Sequence, residues 1–118
     1  NIPLIACYPD QLNQVWTNLI NNAIHAMNNQ GILIINVWQE EQRLKVSITD
    51  NGHGIPLEMQ NKIFEPFFTT KSQGEGSGLG LDIVKKIINK HHGTIELNST
   101  FGKTTFTISL PIEQNQDN

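Results

Sequence analysis

"LKVSITDNGHGIP", residues 44–56, joins a strand signal to a turn signal. Leu44, Val46 and Ile48 alternate with Lys45, Ser47 and Thr49, the period-two pattern of a strand with one apolar and one polar face. A strand that buries one side belongs to a sheet covered on one side. The run stops at Asp50, Asn51-Gly52 makes a turn, and Pro56 opens a short helix to about Ile63. Two readings of the turn stay open. Asp-Asn-Gly makes an ordinary turn readily. Alternatively, Asp50 accepts a hydrogen bond from an exocyclic amine while Gly52 and Gly54 leave room for a flat ring. A carboxylate only accepts, so it would take adenine's amine and reject guanine's carbonyl. His53 reads as an exposed turn residue rather than a catalytic one.

Upstream, "ILIINVW" (32–38) is a second β-branched run, and the polar "QEEQR" between the two makes them an antiparallel pair. Before that, Leu12, Val15, Trp16, Leu19, Ile20, Ala23 and Met27 recur at steps of three and four, an amphipathic helix from Asp10 to Met27. Asp10 is the expected N-cap, and Gly31 the expected left-handed residue after the helix. "LIACY" (4–8) reads as an edge strand. Downstream, an irregular segment from Phe64 to Ser77 precedes a helix from about Gly78 to His91, with Ile83, Val84, Ile87 and Ile88 inward and Gly93 ending it. His91 and His92 fall at its C-terminal end, where partial positive charge suits the dipole. "TIELNS" and "TTFTISLP" close the domain as a hairpin around "TFGK", Pro111 stops the last strand, and the polar tail from residue 113 is expected to fray. The order implies an α/β, two-layer sandwich: a mixed, mostly antiparallel sheet of about five strands with three helices on one face.

Composition bounds the class. A chain of 118 residues is one domain, and 37% apolar with 16% charged residues describes a folded protein. The net charge of −3 gives no reason to expect nucleic acid or an acidic membrane as partner. Cys7 stands alone, in keeping with a reducing, cytoplasmic setting. No apolar run approaches the ~20 residues of a membrane span. The opening "NIPLIACYP", with neither initiator methionine nor signal peptide, reads as the start of a piece of a longer protein.

Three further stretches carry candidate chemistry. Asn18 and Asn22, followed by His25, share one stripe of the first helix, off the side of its apolar face. They form either a solvated polar face or a pair of amide oxygens for a hard cation such as Mg2+. "FEPFFTTK" (64–71) clusters Phe64, Phe67 and Phe68, either a satellite of the core or the hinge of a lid from which Lys71 reaches an anion. "KSQGEGSGLGLDIVKK" (71–86) sets Gly74, Gly76, Gly78 and Gly80 before a helix whose free amides suit phosphate. It is neither a P-loop, lacking the Lys-Ser or Lys-Thr pair, nor G-x-G-x-x-G after a strand.

Together these stretches resemble the ATP-binding catalytic domain of two-component sensor histidine kinases, in the GHKL group with its Bergerat fold. "NQVWTNLINNAIHAM" (13–27) is similar to the N box, "DNGHGIP" to the G1 box, "IFEPFFTTK" (63–71) to the F box and "GEGSGLGLDIV" (74–84) to the G2 box, in the family order. "HHGTIELNSTFGKTTFTISLP" (91–111) is similar to the domain's end. The resemblance implies ATP and Mg2+ as cofactors. It makes Asn22 the Mg2+ ligand, supported by Asn18 as the second catalytic amide, and Asp50 the acceptor for the adenine amine. Gly52 and Gly54 shape that wall, Ile55 packs on the ring, and Thr104 offers a hydroxyl near adenine-bound water. Phe64 and Lys71 belong to the lid. Gly76, Ser77, Gly78, Leu79, Gly80 and Leu81 bring main-chain amides to the phosphates. His25 stands where the family often has Lys or Arg for a phosphate contact, and "GKTTF" is one glycine short of the usual pattern.

ATP-hydrolysing relatives carry a glutamate at the Asn18 position. An amide is no general base near neutral pH, which favours a kinase over a hydrolase. No histidine here has the context of a phospho-acceptor. The resemblance therefore implies that the γ-phosphate goes to a histidine on a separate helical dimerisation domain, then to a response-regulator receiver. The isolated domain is expected to be a monomer and the parent, with or without a membrane anchor, a homodimer. A regulatory nucleotide-binding module without kinase activity and a GHKL-type hydrolase are the alternatives.

Overall fold

A computed structural model of the chain describes residues 7–28, 30–65 and 80–112. Helix α1 is Pro9–Ala26, strands β1 and β2 are Leu33–Glu40 and Arg43–Asp50, and α2 is the single turn Leu57–Gln60. Helix α3 is Gly80–Lys90, followed by β3, Thr94–Thr100, and β4, Lys103–Pro111. The described strands form one antiparallel sheet in the order β1-β2-β4-β3. The strand expected at residues 4–8 lies mostly outside the described residues, and Cys7 and Tyr8 belong to no strand. With both hairpins closed by two-residue turns, the sheet among the described residues is four-stranded and antiparallel rather than mixed. Glu41 (φ 56°) and Gly102 (φ 83°) supply the positive φ that such turns need.

The alternation in 44–49 sets the layers. Val46 and Ile48 join Phe106, Ile108 and Leu110 on one face, against Leu12, Val15 and Leu19 of α1 and Leu81, Val84, Ile87 and Ile88 of α3. Val15, Val84, Ile88 and Ile108 are wholly removed from solvent. Each such side chain contributes about 1.5–3 kcal/mol of hydrophobic free energy. On β2, β4 and β3 the opposite face is polar, and there the Thr49 and Thr105 hydroxyls meet at 2.9 Å across the β2–β4 pair.

Several local expectations give way to closer fits. Tyr8, not Asp10, is the N-cap of α1: its backbone is extended, no side chain caps the helix, and its carbonyl accepts from Gln11 and Leu12 N–H. Pro9 can start the helix because its missing N–H would be unpaired there anyway, which places Asp10 in the first turn at the positive end of the dipole. After α1 the left-handed residue is Asn28 (φ 55°), not Gly31. Gly31 is required for closeness instead, since a Cβ there would lie 2.5 Å from Asn51 Oδ1. That oxygen accepts from Ile32 N at 2.9 Å and so fixes the entry to β1.

On α3, Leu81 rather than Ile83 completes the inner stripe, and Ile83 is 39% exposed. The positive φ after α3 falls on His92 (62°), while Gly93 allows close packing, its Cβ position being 2.5 Å from Ser109 O. His91 does not serve as a dipole-facing cation. It is buried, its Nδ1 lies 2.8 Å from Ile87 O, and its Nε2 accepts from Tyr8 N at 2.9 Å. A ring nitrogen that accepts a backbone N–H needs its lone pair, so the imidazole is neutral and pins the start of α1 to the end of α3.

Candidate nucleotide site

The apolar face of the sheet turns polar at one end. Asp50 of β2 is the cross-strand partner of Thr104 on β4, and Thr104 is the partner of Ser99 on β3. Cross-strand partners share a face. The three side chains therefore form a row that continues the core face of Val46, Ile48 and Phe106 past its apolar limit. Asp50 and Thr104 are 5% and 3% exposed. Burial pushes the Asp50 carboxyl above its ordinary range, opposed by the Gly52 N–H that Oδ1 accepts at 2.9 Å and by nearby His53.

The Asp50–Pro56 turn is wedged between that row and the end of α1. His53 N–H donates to Ala26 O at 3.3 Å, and a Cβ on Gly52 would collide with the same carbonyl. Gly54 has φ +83°, and a Cβ there would collide with Thr100 O. Both glycines are thus fixed by close backbone approach, one to α1 and one to β3. The side chain of His53 is exposed at the surface of the turn, with Nδ1 2.6 Å from Gly54 O. Ile55 is half-buried and packs against the core.

Asn18 and Asn22 lie half-buried along α1, and His25 follows them, exposed, in the last turn. Helix α3 begins against Asn18: its Nδ2 donates to Gly80 O at 3.4 Å, and a Cβ on Gly80 would sit 3.0 Å from that nitrogen. With one amide N–H directed at α3, Asn18 still has its amide oxygen as an acceptor. Leu81 sends its side chain into the core, so only its main chain is available at the helix start. Phe64 packs edge-on to Phe106 at 6.3 Å between centroids and has Lys85 Nζ 5.4 Å from its ring centre, the core-satellite reading of that residue. Lys71, Gly76, Ser77, Gly78 and Leu79, with Phe67 and Phe68, lie outside the described residues.

The N-box helix, the G1 turn and the row Asp50–Thr104–Ser99 thus meet at one end of the sandwich. The family model for histidine kinase-, DNA gyrase B- and HSP90-like ATPases matches residues 7–114. The chain belongs to this family. Within it, the chain is 43% identical over 112 residues to the sensor histidine kinase ZraS of Escherichia coli (strain K12), covering 94% of this chain and 24% of that protein. It thus spans about a quarter of the length of that curated relative. The nucleotide-free catalytic domain of histidine kinase ThkA superposes with a TM-score of 0.80 at 38% identity, over 91% of this chain and 70% of that one. Full-length ShkA in complex with AMPPNP superposes with a TM-score of 0.82 at 25% identity, over 97% of this chain and 24% of that one. The two-layer α/β architecture is that of histidine kinase catalytic domains.

Two residues of this candidate site escaped the sequence reading. Ser99 Oγ accepts from Ile55 N at 2.8 Å and lies 2.8 Å from Thr104 Oγ1. Gln60 Nε2 donates to Ile55 O at 2.8 Å and to Ser99 O at 3.2 Å. A signal for Ser99 was present: the alternation Ile95, Leu97, Ser99 puts a hydroxyl where the apolar face should continue. Gln60 left none, since a glutamine in a one-turn helix is unremarkable by pattern.

Proposed function

We propose that the chain binds MgATP and presents the γ-phosphate to a histidine on a separate helical dimerisation domain, as the catalytic part of a two-component histidine kinase. The observation that carries this reading is the row of buried Asp50 and Thr104 with half-buried Ser99, beside a glycine turn packed closely between α1 and β3. Asp50 accepts from the adenine amine, Gly52 and Gly54 keep the wall free of side chains, and Ile55 lies against the ring. The donor set suits Mg2+, since the neutral amide oxygens of Asn22 and Asn18 leave most of its shell to phosphate and water oxygens. When bound, the ion neutralises phosphate charge. His25, Lys71 and the main-chain amides of Gly76, Ser77, Gly78, Leu79, Gly80 and Leu81 complete the phosphate side.

What the protein supplies is position. Asn18 carries no basicity with which to activate water, so the bound phosphate is preserved for the acceptor histidine rather than lost to hydrolysis. A receiver domain then takes the phosphate from that histidine. Among the described residues no helix is long and apolar enough to cross a membrane. Mixing the chain with the acceptor domain of its parent kinase and labelled ATP tests the proposal. Acid-labile, base-stable phosphohistidine is expected, and nucleotide binding without transfer would reduce the chain to a regulatory module. Steady phosphate release by the chain alone would revive the hydrolase reading.

A further inference from the structure

We propose that Ser99 is a positioning residue of the purine pocket, acting through Thr104 and Ile55; this rests on the nucleotide reading of the site. Ser99 stands at the end of the polar row, and its hydroxyl and its carbonyl are both tied to the pocket wall. Its hydroxyl oxygen receives the Ile55 N–H at 2.8 Å, and its carbonyl receives the Gln60 amide at 3.2 Å. The same Gln60 nitrogen holds Ile55 O at 2.8 Å. Both backbone polar groups of Ile55 are therefore anchored on one frame, Ser99 on one side and Gln60 on the other. That frame fixes where the Ile55 side chain meets the ring and prevents the G1 turn from drifting away from β3.

The hydroxyl does a second job. A serine hydroxyl has one hydrogen and two lone pairs. One lone pair is taken by Ile55 N–H, and Thr104 Oγ1 lies at 2.8 Å, a distance at which either hydroxyl can donate; we take Ser99 as the donor. With Ser99 donating, Thr104 receives on its oxygen and keeps its own hydrogen free for the pocket. Thr104 is the cross-strand neighbour of Asp50, which can only accept when ionised. The row then presents an acceptor beside a donor. That pair complements an aminopurine edge, where an amine neighbours a ring nitrogen, and opposes the carbonyl and ring N–H of guanine. Asp50 alone reads one atom of that edge; Ser99, by setting the direction of the Thr104 hydrogen, lets the row read two.

The test is a double-mutant cycle on the chain, read by calorimetric titration with ATP and GTP and by thermal melting. Ser99→Ala is expected to weaken ATP about fivefold, the worth of one neutral hydrogen bond, and to narrow the preference for ATP over GTP. Ser99→Thr, which keeps the hydroxyl, should restore both. In a Thr104→Val background, Ser99→Ala should cost appreciably less affinity than it does alone, because its effect through Thr104 is already gone. Unchanged ATP affinity and selectivity in a folded Ser99→Ala, or losses that simply add in the double variant, would overturn the proposal. If Ser99→Ala does not fold, Ser99→Cys replaces it: its weak donor should also lose selectivity, and wild-type selectivity would be the contrary result. Should the unmutated chain bind no ATP, the nucleotide reading itself fails. If it binds and the Ser99 variants match it, only this inference does.

Discussion

Asp50→Asn separates what the carboxylate does for the ligand from what it costs the protein. The substitution is nearly isosteric, and the amide oxygen can still take the Gly52 N–H that Oδ1 accepts at 2.9 Å. The remaining position changes from an acceptor to an NH2 donor, which faces the adenine amine donor to donor. Losing one hydrogen bond to a charged group costs about 1.5–3 kcal/mol, or roughly 10- to 100-fold in ATP affinity. GTP, whose carbonyl can accept from the new amide, should not lose affinity. Stability moves the other way. Burial raises the Asp50 pKa above the ordinary aspartate value of 3.8, so the folded state binds a proton more readily than the unfolded one. Stability from this group is therefore greatest below pH 3.8 and is lost as pH rises through the raised folded pKa. At neutral pH the wild type bears the cost of a desolvated charge, and the ligand-free Asn variant should melt higher. The gap should close as pH falls toward 3.8. Titrations with ATP and GTP at pH 7, with melting curves across pH, read both effects. ATP-over-GTP selectivity equal to that of the wild type would refute the reasoning.

Other perturbations reach different links of the same chain of causes. Asn22→Ala should weaken ATP binding far more with Mg2+ than in chelator, and equal losses in the two titrations would make Asn22 structural. Gly54→Ala forces a side chain onto φ +83° and into Thr100 O. It should cost at least about 1 kcal/mol, near 5 °C in melting temperature, and an unchanged melt would contradict the close approach. His91→Phe leaves Tyr8 N–H without its acceptor and should destabilise the domain by about 1 kcal/mol or more, read by denaturant melts; no loss would remove the pin between α1 and α3.

The parts legible in the sequence were those set by periodicity. The alternation at 44–49 gave the one-sided strand and hence the layered sandwich, and the step of three and four in α1 gave its buried stripe. Single-residue geometry was less legible, because a glycine states permission rather than use. Gly31 is expected to be left-handed and Gly93 to end α3, but Asn28 and His92 take the positive φ, and the glycines serve close packing against Asn51 and Ser109. Ile83 was placed inward by its neighbours, although Leu81 lies three residues before Val84 on the same stripe. For the site, Asp50 and its turn were visible as a motif, whereas Ser99 and Gln60 act through register and backbone contacts that no linear pattern displays. His91 was read by its position at a helix end; its partner, the Tyr8 N–H, is 83 residues away in sequence.

Calorimetric titration of the unmutated chain with ATP in Mg2+, beside GTP under the same conditions, asks most directly whether the row, the glycine turn and the paired amides form one pocket. Saturable heat at one nucleotide per chain, strongly favouring ATP, is the predicted result. No heat with ATP, or equal affinity for GTP, would contradict it.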